Sequence, residues 1–334
     1  MIYIRTDMND VIATGHMMRC LAVADAARMR GEETTFILAD AQAAALLEER
    51  KYPYLILYTA WNDMESELPA LKKIIRERKI KRILVDSYQV TPRYFEELNK
   101  AAEIAYIDDL NAFHYEVDTL ICYANYWEKF RYEEKYPGTW LFLGTEYVPL
   151  RQAFFDCGRK NIAPQIKRLL LMSGGTDRYG VLERFLNETD TKSYEQIDVI
   201  CGKYNGAYDT LCRKYAQEQN IRIHRAVPDI ERYMIEADLA ISAGGITLYE
   251  LCACGTPTIS YALADNQLGN VKKFQEDGQI AYAGDVRTDD VVKNIKRCME
   301  IYDAASVRQE KSLRMQELVD GKGAGRIADV LISG

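Results

Sequence analysis

The sequence predicts an α/β fold made of two Rossmann-like domains that face a cleft. Short strand-like runs alternate with helical patterns along nearly the whole chain, and this alternation starts again, with its own glycine turn, near residues 155–165. Such alternation is typical of a parallel sheet covered by helices, and 334 residues suffice for two domains. We therefore expect a first domain over residues 1–155 and a second over residues 160–334. The strand C-terminal ends of both should point toward the cleft, where ligands of such sheets bind.

The first half of the chain is predicted to begin with strands and helices in strict alternation. The strands are expected at residues 2–5, 34–38, 54–58, 82–86 and 104–107, and the helices at residues 16–30, 41–49, 65–78 and 92–102. The first helix is the clearest, because apolar residues recur along one face at Met18, Leu21, Ala22, Ala26 and Met29. Gly31 then ends this helix.

The second half repeats the pattern after residues 123–158, a stretch rich in tyrosine, tryptophan and proline that interrupts the alternation. Further strands are expected at residues 168–172, 197–201, 221–224, 239–242, 258–261 and 281–283. Helices are expected between these strands, over residues 288–302 and through the final segment, residues 307–331.

Composition excludes several classes of function. The chain has 43 basic and 50 acidic side chains and a net charge of −7, which argues against general nucleic-acid binding but not against an anionic small ligand. No apolar run approaches the roughly 18 residues of a membrane span, and the N-terminus lacks the features of a signal peptide, so a cytoplasmic protein is expected. The eight cysteines form no CxxC pair and, with three histidines, no zinc spacing. We therefore expect reduced thiols and no metal.

The first candidate site is RTDMNDVIATGHMMRC, residues 5–20, which runs from a strand into a helix. Gly15 permits close approach of a ligand to the backbone. His16 is expected in the first helical turn, where the helix dipole favours a neutral imidazole that can act as a general base. Arg19 lies on the same helix face, and Asp7 is a further candidate contact and an alternative base. The competing interpretation is a hydrogen-bonded loop histidine beside a surface arginine.

The second candidate site is SGGTD, residues 173–177, directly after a predicted strand. Two glycines at a strand-to-helix turn expose backbone N–H groups that suit a phosphate or a hydroxyl-rich ligand, which makes Gly174 and Thr176 candidate contacts. A plain tight turn explains the same residues.

The third candidate site is a glycine turn that follows the predicted strand 239–242 and begins with Gly244. A diphosphate is expected on the N–H groups of Gly245, Ile246 and Thr247, and Glu250, one turn further on, is placed to reach ribose hydroxyls. The spacing of Thr247 and Glu250 also fits a capping box, which is the competing structural interpretation.

A polar triplet follows the next strand. The predicted loop after residues 258–261 contains Asp265, Asn266 and Gln267, whose side chains suit hydrogen bonds to a sugar. An ordinary turn accounts for them equally well.

Taken in order, these motifs resemble one family. The matching pieces are R-T-D at 5–7, G-H-M-M-R-C at 15–20, D-S-Y at 86–88, I-D-D at 107–109, L-G-T-E-Y-V-P-L-R at 143–151, G-G-T-D at 174–177, S-A-G-G-I-T-L-Y-E at 242–250, G-T-P at 255–257 and D-N-Q at 265–267. The set is similar to the PseG-type UDP-sugar hydrolases of pseudaminic acid biosynthesis and to related spore-coat polysaccharide proteins. That family has the glycosyltransferase-B fold and is similar to the peptidoglycan N-acetylglucosaminyltransferase.

The resemblance implies that water attacks the anomeric carbon of a UDP-linked 2,4-diacetamido-2,4,6-trideoxy hexose and that UDP leaves. It implies His16 as the base and no cofactor, with Gly245, Thr247 and Glu250 on phosphate and ribose. It also places Tyr88, Arg151 and Asn266 near the sugar or phosphate and the uracil near Val227. The D-S-Y triplet departs from the family pattern, since it offers no second histidine.

Two other functions would use the same UDP-sugar-binding site. A glycosyltransferase would use a sugar or lipid acceptor in place of water, and the basic run at residues 72–82 is the candidate acceptor surface, although a solvated helix face also explains it. The other alternative is a non-catalytic nucleotide-sugar-binding protein.

Overall fold

Each half of the chain forms its own parallel β-sheet. The computed structural model describes residues 1–203 and 205–333. It divides into unit 1, made of Met1–Gln152 and Gly321–Gly334, and unit 2, made of Ala153–Asp320. Each unit has its own buried apolar cluster.

Unit 1 contains a sheet with the strand order β3-β2-β1-β4-β5-β6-β7, in which all neighbouring strands run parallel. The strands are β1 (Ile2–Thr6), β2 (Thr34–Leu38), β3 (Tyr54–Ile56), β4 (Arg82–Asp86), β5 (Glu103–Ile107), β6 (Thr119–Cys122) and β7 (Trp140–Leu143). The helices are α1 (Gly15–Met29), α2 (Ala44–Glu49), α3 (Met64–Arg78), α4 (Pro92–Asn99) and α5 (Tyr132–Lys135). The order reverses between β1 and β4, and ligands of such sheets bind at the carboxyl ends of the strands at this kind of position.

Unit 2 repeats this arrangement with the order β10-β9-β8-β11-β12-β13, again all parallel. Its strands are β8 (Arg168–Met172), β9 (Gln196–Cys201), β10 (Ile221–Arg225), β11 (Leu239–Ala243), β12 (Thr258–Ala262) and β13 (Ala281–Asp285). Its helices are α6 (Val181–Glu188), α7 (Tyr208–Lys214), α8 (Ile230–Glu236), α9 (Thr247–Cys254), α10 (Asp265–Glu276), α11 (Val291–Tyr302) and α12 (Ala305–Leu318). The order reverses between β8 and β11.

Capping residues explain several helix boundaries. Thr91 accepts a hydrogen bond from Tyr94 N (3.1 Å), and Pro92 begins α4. Asp63 accepts one from Ser66 N at the start of α3, and the C-cap residue Lys79 adopts the left-handed conformation directly after this helix. These local signals are why the predicted strands and helices of unit 1 lie within a few residues of the observed ones.

Two strands of unit 1 were not predicted. β6 and β7 have only four residues each, and the described chain between them contains a 3₁₀ turn and the four-residue α5 instead of a full crossover helix. The aromatic residues of this stretch pack inside unit 1, where Tyr132 and Tyr136 belong to the buried cluster around Phe95 and Tyr106.

The last helix, α13 (Gly323–Ser333), corrects the predicted domain assignment, because it belongs to unit 1 and not to the second domain. It follows α12 after a break, so the final segment is two helices. Arg30, the C-cap residue of α1, binds Asp329 (2.5 Å), and Arg326 donates to the carbonyl of Glu146 (2.8 Å). A Cβ on Gly323 would lie 2.2 Å from the oxygen of Val148, so this close packing needs glycine.

A buried ion network holds the end of β1. Arg5 is completely buried and donates to both oxygens of Glu67 (2.8 and 2.5 Å) and to Asp7 (2.5 Å). Tyr94 donates to Glu67 as well (2.9 Å). Burial opposes the charge of Arg5, but the carboxylates outweigh it, and the pKa of Arg5 lies above its ordinary value.

We expect Glu67→Ala to lower the free energy of unfolding by about 3–5 kcal/mol, because it removes one side of a buried ion pair. Glu77→Ala on the same helix is the matched control, since Glu77 is exposed and lies 3.8 Å from Lys73; its cost should be about 1 kcal/mol or less. Urea unfolding followed by circular dichroism measures both. Equal losses in the two variants would contradict a special role for the buried pair.

Candidate active site

The first candidate site lies at the carboxyl ends of β1 and β4, where the strand order of unit 1 reverses. Thr6 and Asp86 are paired at the ends of these two strands. The loop after β1 turns at Asn9, whose side chain accepts hydrogen bonds from Val11 N and Ile12 N (2.9 Å each). It leads into α1, whose first turn contains His16. His16 is therefore in the helical turn that the sequence predicted, one residue after the exposed Gly15.

His16 and Asp86 form a histidine–carboxylate pair. His16 Nδ1 lies 2.8 Å from Asp86 Oδ1, and Asp86 is completely buried. Arg19 Nη2, which only donates, also lies 2.9 Å from Nδ1, but it already donates to Asp86 Oδ1. A carboxylate only accepts hydrogen bonds, so the ring proton is placed on Nδ1, toward the shorter contact. We assign the tautomer on this basis, and it leaves the lone pair on Nε2, for which no partner exists among the described residues. An imidazole oriented in this way is able to accept a proton from a ligand.

Arg19 binds the other side of the same carboxylate. Its Nε donates to Asp86 Oδ2 (2.6 Å), and its Nη2 donates to Asp86 Oδ1. Arg19 Nη1 donates to Asp109 Oδ2 (3.1 Å) and contacts the hydroxyl of Tyr123. Arg19 is 5% exposed, so the alternative of a surface arginine is wrong.

Tyr88 completes the cluster. Its ring meets the imidazole of His16 edge-on, with centroids 4.4 Å apart. Its hydroxyl donates to Asp109 Oδ2 (2.9 Å), which also accepts from Tyr123 (3.2 Å). Burial, reinforced by the Asp109 charge, raises the pKa of Tyr88 well above its ordinary value, so the hydroxyl keeps its proton.

The charge of Asp86 is maintained by its partners. Burial is the strongest influence and favours the neutral acid, but Arg19 and His16 outweigh it. The pKa of Asp86 therefore lies well below its ordinary value. The carboxylate consequently stays negative through the neutral range and stabilises any positive charge that forms on the ring of His16.

The carboxylate of Asp7 has a structural role within unit 1. Its Oδ2 accepts from Arg5, and its Oδ1 accepts from Ala39 N (2.8 Å). Both oxygens are thus engaged at the base of the loop, which argues against the interpretation of Asp7 as an alternative base.

The second candidate site lies where the strand order of unit 2 reverses, at the carboxyl ends of β8 and β11. Gly244 and Gly245 follow β11 directly, and α9 begins at Thr247. Within the described chain, no group accepts a hydrogen bond from the N–H of Gly245, Ile246 or Thr247. Such a helix start favours an anion. Partly buried Glu250 lies one turn further along the helix.

The capping-box alternative for Thr247 and Glu250 is wrong. A capping box needs its threonine at the N-cap position, but here the N-cap is Ile246 and Thr247 is the first helical residue. Gly244 is needed for packing, since a Cβ there would lie 2.2 Å from Cγ1 of Val271.

The remaining predicted contacts lie in unit 2, with the exception of one residue in unit 1. Gly174, with φ of +74°, and Thr176 are in the turn after β8, and Val227 follows β10. Arg151 lies in unit 1, eight residues after β7. Asp265, Asn266 and Gln267 were expected in a loop but form the first turn of α10. Gln267 accepts from Leu263 N (2.9 Å), and Asp265 binds Arg287 (2.7 Å), so two of the three have structural partners.

The sequence interpretation gave no role in the chemistry to Asp86 and missed Tyr123. A signal for Asp86 was present, because an acidic residue ending the buried run RILVD lies at the ligand-binding edge of a parallel sheet. No comparable signal marked Tyr123, because it follows the unpredicted strand β6.

The described residues offer neither a metal-binding cluster nor a membrane-spanning helix. No group of three or more histidine, cysteine, aspartate or glutamate residues there is arranged to hold a metal ion. In the same part of the chain, no helix combines the length and apolar character needed to cross a membrane. The cytoplasmic location stays a prediction.

Comparison with known proteins places these sites in context. The profile of the glycosyltransferase family 28 C-terminal domain matches residues 169–320, which lie in unit 2. Over 158 residues the chain is 33% identical to the UDP-N-acetylglucosamine--N-acetylmuramyl-(pentapeptide) pyrophosphoryl-undecaprenol N-acetylglucosamine transferase of Campylobacter jejuni subsp. jejuni. This match covers 44% of the chain and 45% of the transferase, so it spans less than half of that relative.

Two further similarities extend over the whole chain. The spore coat polysaccharide biosynthesis protein SpsG of Bacillus subtilis is 22% identical over 330 residues, covering 95% of this chain and 93% of SpsG. The crystal structure of Acinetobacter baumannii MurG matches with a TM-score of 0.70 at 12% identity, over 100% of this chain and 99% of MurG. The fold is the glycosyltransferase-B fold. The predicted fold class is thereby confirmed.

We expect Asp86→Asn to destabilise the protein most above pH 5 and progressively less as the pH falls. The unfolded carboxyl titrates near 3.9, whereas the folded one titrates lower. The stabilisation is therefore fully present above the unfolded pKa and is lost as the pH falls toward the folded pKa. Urea midpoints between pH 3 and 7 measure this.

Asp329→Asn is the matched control for this experiment, because Asp329 pairs with Arg30 but is 61% exposed. Its effect should be small at every pH. A wild-type advantage over Asp86→Asn that stays constant down to pH 3 would contradict the assignment of a charged Asp86.

Proposed function

We propose that this protein uses a UDP-sugar as glycosyl donor and that His16, held by Asp86, activates the hydroxyl that displaces UDP from the anomeric carbon. The observation that carries this proposal is the histidine–carboxylate pair, whose Nε2 has no partner among the described residues. The match of the glycosyltransferase family 28 C-terminal domain profile to unit 2 supports it.

The proposed step is a displacement assisted by a general base. Nε2 of His16 takes the proton from the attacking hydroxyl as its oxygen bonds to the anomeric carbon. The bond from that carbon to the diphosphate oxygen breaks, and its electron pair leaves with UDP. The imidazolium that forms is stabilised by the buried carboxylate of Asp86, which Arg19 keeps ionised.

The donor is proposed to bind unit 2. The diphosphate would accept hydrogen bonds from the N–H groups of Gly245, Ile246 and Thr247, where the helix dipole also stabilises the charge that grows on the leaving group. Glu250 would bind the ribose. No metal or cofactor is part of this proposal, because the helix start already supplies positive potential.

The comparisons favour an acceptor other than water. The matching profile describes a glycosyltransferase domain, and the 33% identical relative is an N-acetylglucosamine transferase. In the principal proposal the attacking group is therefore a hydroxyl of a sugar or lipid-linked acceptor.

Hydrolysis is the second candidate. The ion pairs of the basic run at residues 72–82 favour it over transfer to an anionic acceptor. Three of its cations are paired with neighbouring carboxylates: Lys72 with Glu97 (2.6 Å), Lys73 with Glu77 (3.8 Å) and Arg82 with Glu103 (2.7 Å). This pairing neutralises three of the seven cations in the run, which reduces its attraction for an anionic acceptor. Water would then attack a UDP-linked 2,4-diacetamido-2,4,6-trideoxy hexose, as the resemblance to the PseG-type hydrolases implies, in the synthesis of a surface or spore-coat polysaccharide.

The two candidates are separated by measuring UDP release from a panel of UDP-sugars with and without hydroxyl acceptors. Release only when an acceptor is present, with formation of a glycoside, supports transfer. Equal release without an acceptor, with formation of the free sugar, supports hydrolysis. Binding of UDP-sugars with no turnover under either condition would support the non-catalytic alternative.

We expect His16→Ala to lower kcat by about 10²–10⁴-fold, the usual contribution of a positioned base. The affinity for UDP should stay nearly unchanged, because its contacts are proposed to lie in unit 2. Steady-state kinetics and calorimetric titration with UDP measure the two effects.

His114→Ala is the matched control, since His114 lies elsewhere in unit 1 and stacks on Tyr136. It should retain near-normal kcat. A His16→Ala enzyme with near-normal kcat would place the base elsewhere, and Asp109 would be tested next.

We expect Glu250→Ala to raise KM for the UDP-sugar more than it lowers kcat. Its proposed partner, the ribose, changes little between ground and transition states, so its loss removes uniform binding. Glu250→Gln keeps an acceptor oxygen and should recover part of the affinity. A collapse of kcat at constant KM would instead assign Glu250 to the chemistry.

A further inference from the structure

Two cysteines of unit 2 lie in contact. Cys157 is in the irregular segment that opens unit 2, and Cys254 is the last residue of α9. The Sγ atom of Cys254 lies 3.7 Å from that of Cys157, within hydrogen-bonding distance for two sulfurs. The two residues are 97 positions apart in the sequence, so only the tertiary fold brings them together.

The two thiols have different surroundings. Cys254 is 1% exposed, whereas Cys157 is partly exposed and lines a cavity of about 290 Å³ together with Phe154, Arg159 and Gln316. The hydrogen bond from Cys254 lowers the pKa of Cys157, and the same bond, followed by burial, raises the pKa of Cys254. Cys157 is thus the accessible, more nucleophilic sulfur, and Cys254 retains its proton behind it.

Neighbouring contacts hold the pair in place. Gln316 Nε2 donates to the carbonyl of Gly158 (2.6 Å), directly after Cys157. Lys160 Nζ donates to carbonyls at the end of α8, including that of Ala237 (2.6 Å). The segment around Cys157 is therefore fixed against the body of unit 2, although it is neither helix nor strand.

We propose that Cys157 and Cys254 are a peroxide-sensitive thiol pair that oxidises to a reversible disulfide within unit 2. An S–S bond of about 2.05 Å requires the sulfurs to approach by about 1.7 Å from their separation of 3.7 Å. Metal binding does not explain the pair, since the described chain has no cluster of three or more potential ligands.

The reaction balances with hydrogen peroxide as the oxidant. The thiolate of Cys157 attacks one peroxide oxygen, the O–O bond breaks, and hydroxide leaves as a sulfenic acid forms. Cys254 then attacks the sulfur of Cys157, the S–O bond breaks, and the departing hydroxide takes the proton of Cys254. Two thiols and one peroxide become one disulfide and two waters, and the two electrons lost by sulfur reduce the peroxide.

The test is to treat the reduced full-length protein with hydrogen peroxide and to map its cysteines by mass spectrometry. We expect the number of free thiols to fall by two from eight, a cross-link between the peptides of Cys157 and Cys254, and full reversal by dithiothreitol. In Cys254→Ser, a sulfenic acid should accumulate at Cys157 and react with dimedone. In Cys157→Ser, the cross-link should be absent.

Cys298→Ser is the matched control, because Cys298 is also partly exposed; it should form the cross-link normally. The wild-type mapping alone decides the proposal, so a variant that fails to fold does not affect it. Oxidation of wild type without this cross-link, or reaction at Cys298 before Cys157, would overturn it.

Discussion

The site in unit 1 depends on one buried carboxylate, that of Asp86. It accepts hydrogen bonds from three residues of α1, namely His16, Arg19 and Cys20. A buried charge of this kind is tolerated only when it is fully paired. The requirement therefore joins the first turns of α1 to the end of β4, and it orients the imidazole in the same interaction. Structure and proposed chemistry consequently rely on the same atoms.

Asp108 and Asp109 are adjacent in the sequence but have different roles. Asp108 turns inward, accepts from Leu110 N (3.0 Å) and the hydroxyl of Tyr115 (3.0 Å), and shapes the loop after β5. Burial raises the pKa of Asp108 above its ordinary value despite these bonds. Asp109 turns the other way, toward Arg19 and Tyr88. The inner residue holds the loop in shape, and this shape presents the outer residue to the cluster.

Most strands and helices could be predicted from the sequence because their signals are local. The run RILVD of β4, the threonine before Pro92 and the glycine turn before α9 each act over a few residues. β6 and β7 could not be predicted, because they are short and their connection lacks a full helix with its own periodicity. The sequence predicts a loop at the first turn of α10, because Asp265, Asn266 and Gln267 are polar and no side-chain cap marks their start.

By itself, the sequence determined the two series of strands and helices, the glycine turns that end β8 and β11, and the place of His16 in the first turn of a helix. Only the tertiary structure decided what His16 binds. Its partner Asp86 lies 70 residues further along the chain, and the two meet because β4 pairs with β1 and not with its predecessor β3. Parallel pairing brings the carboxyl ends of strands together whatever their separation in sequence. The spacing of residues along the chain does not determine which strands become neighbours.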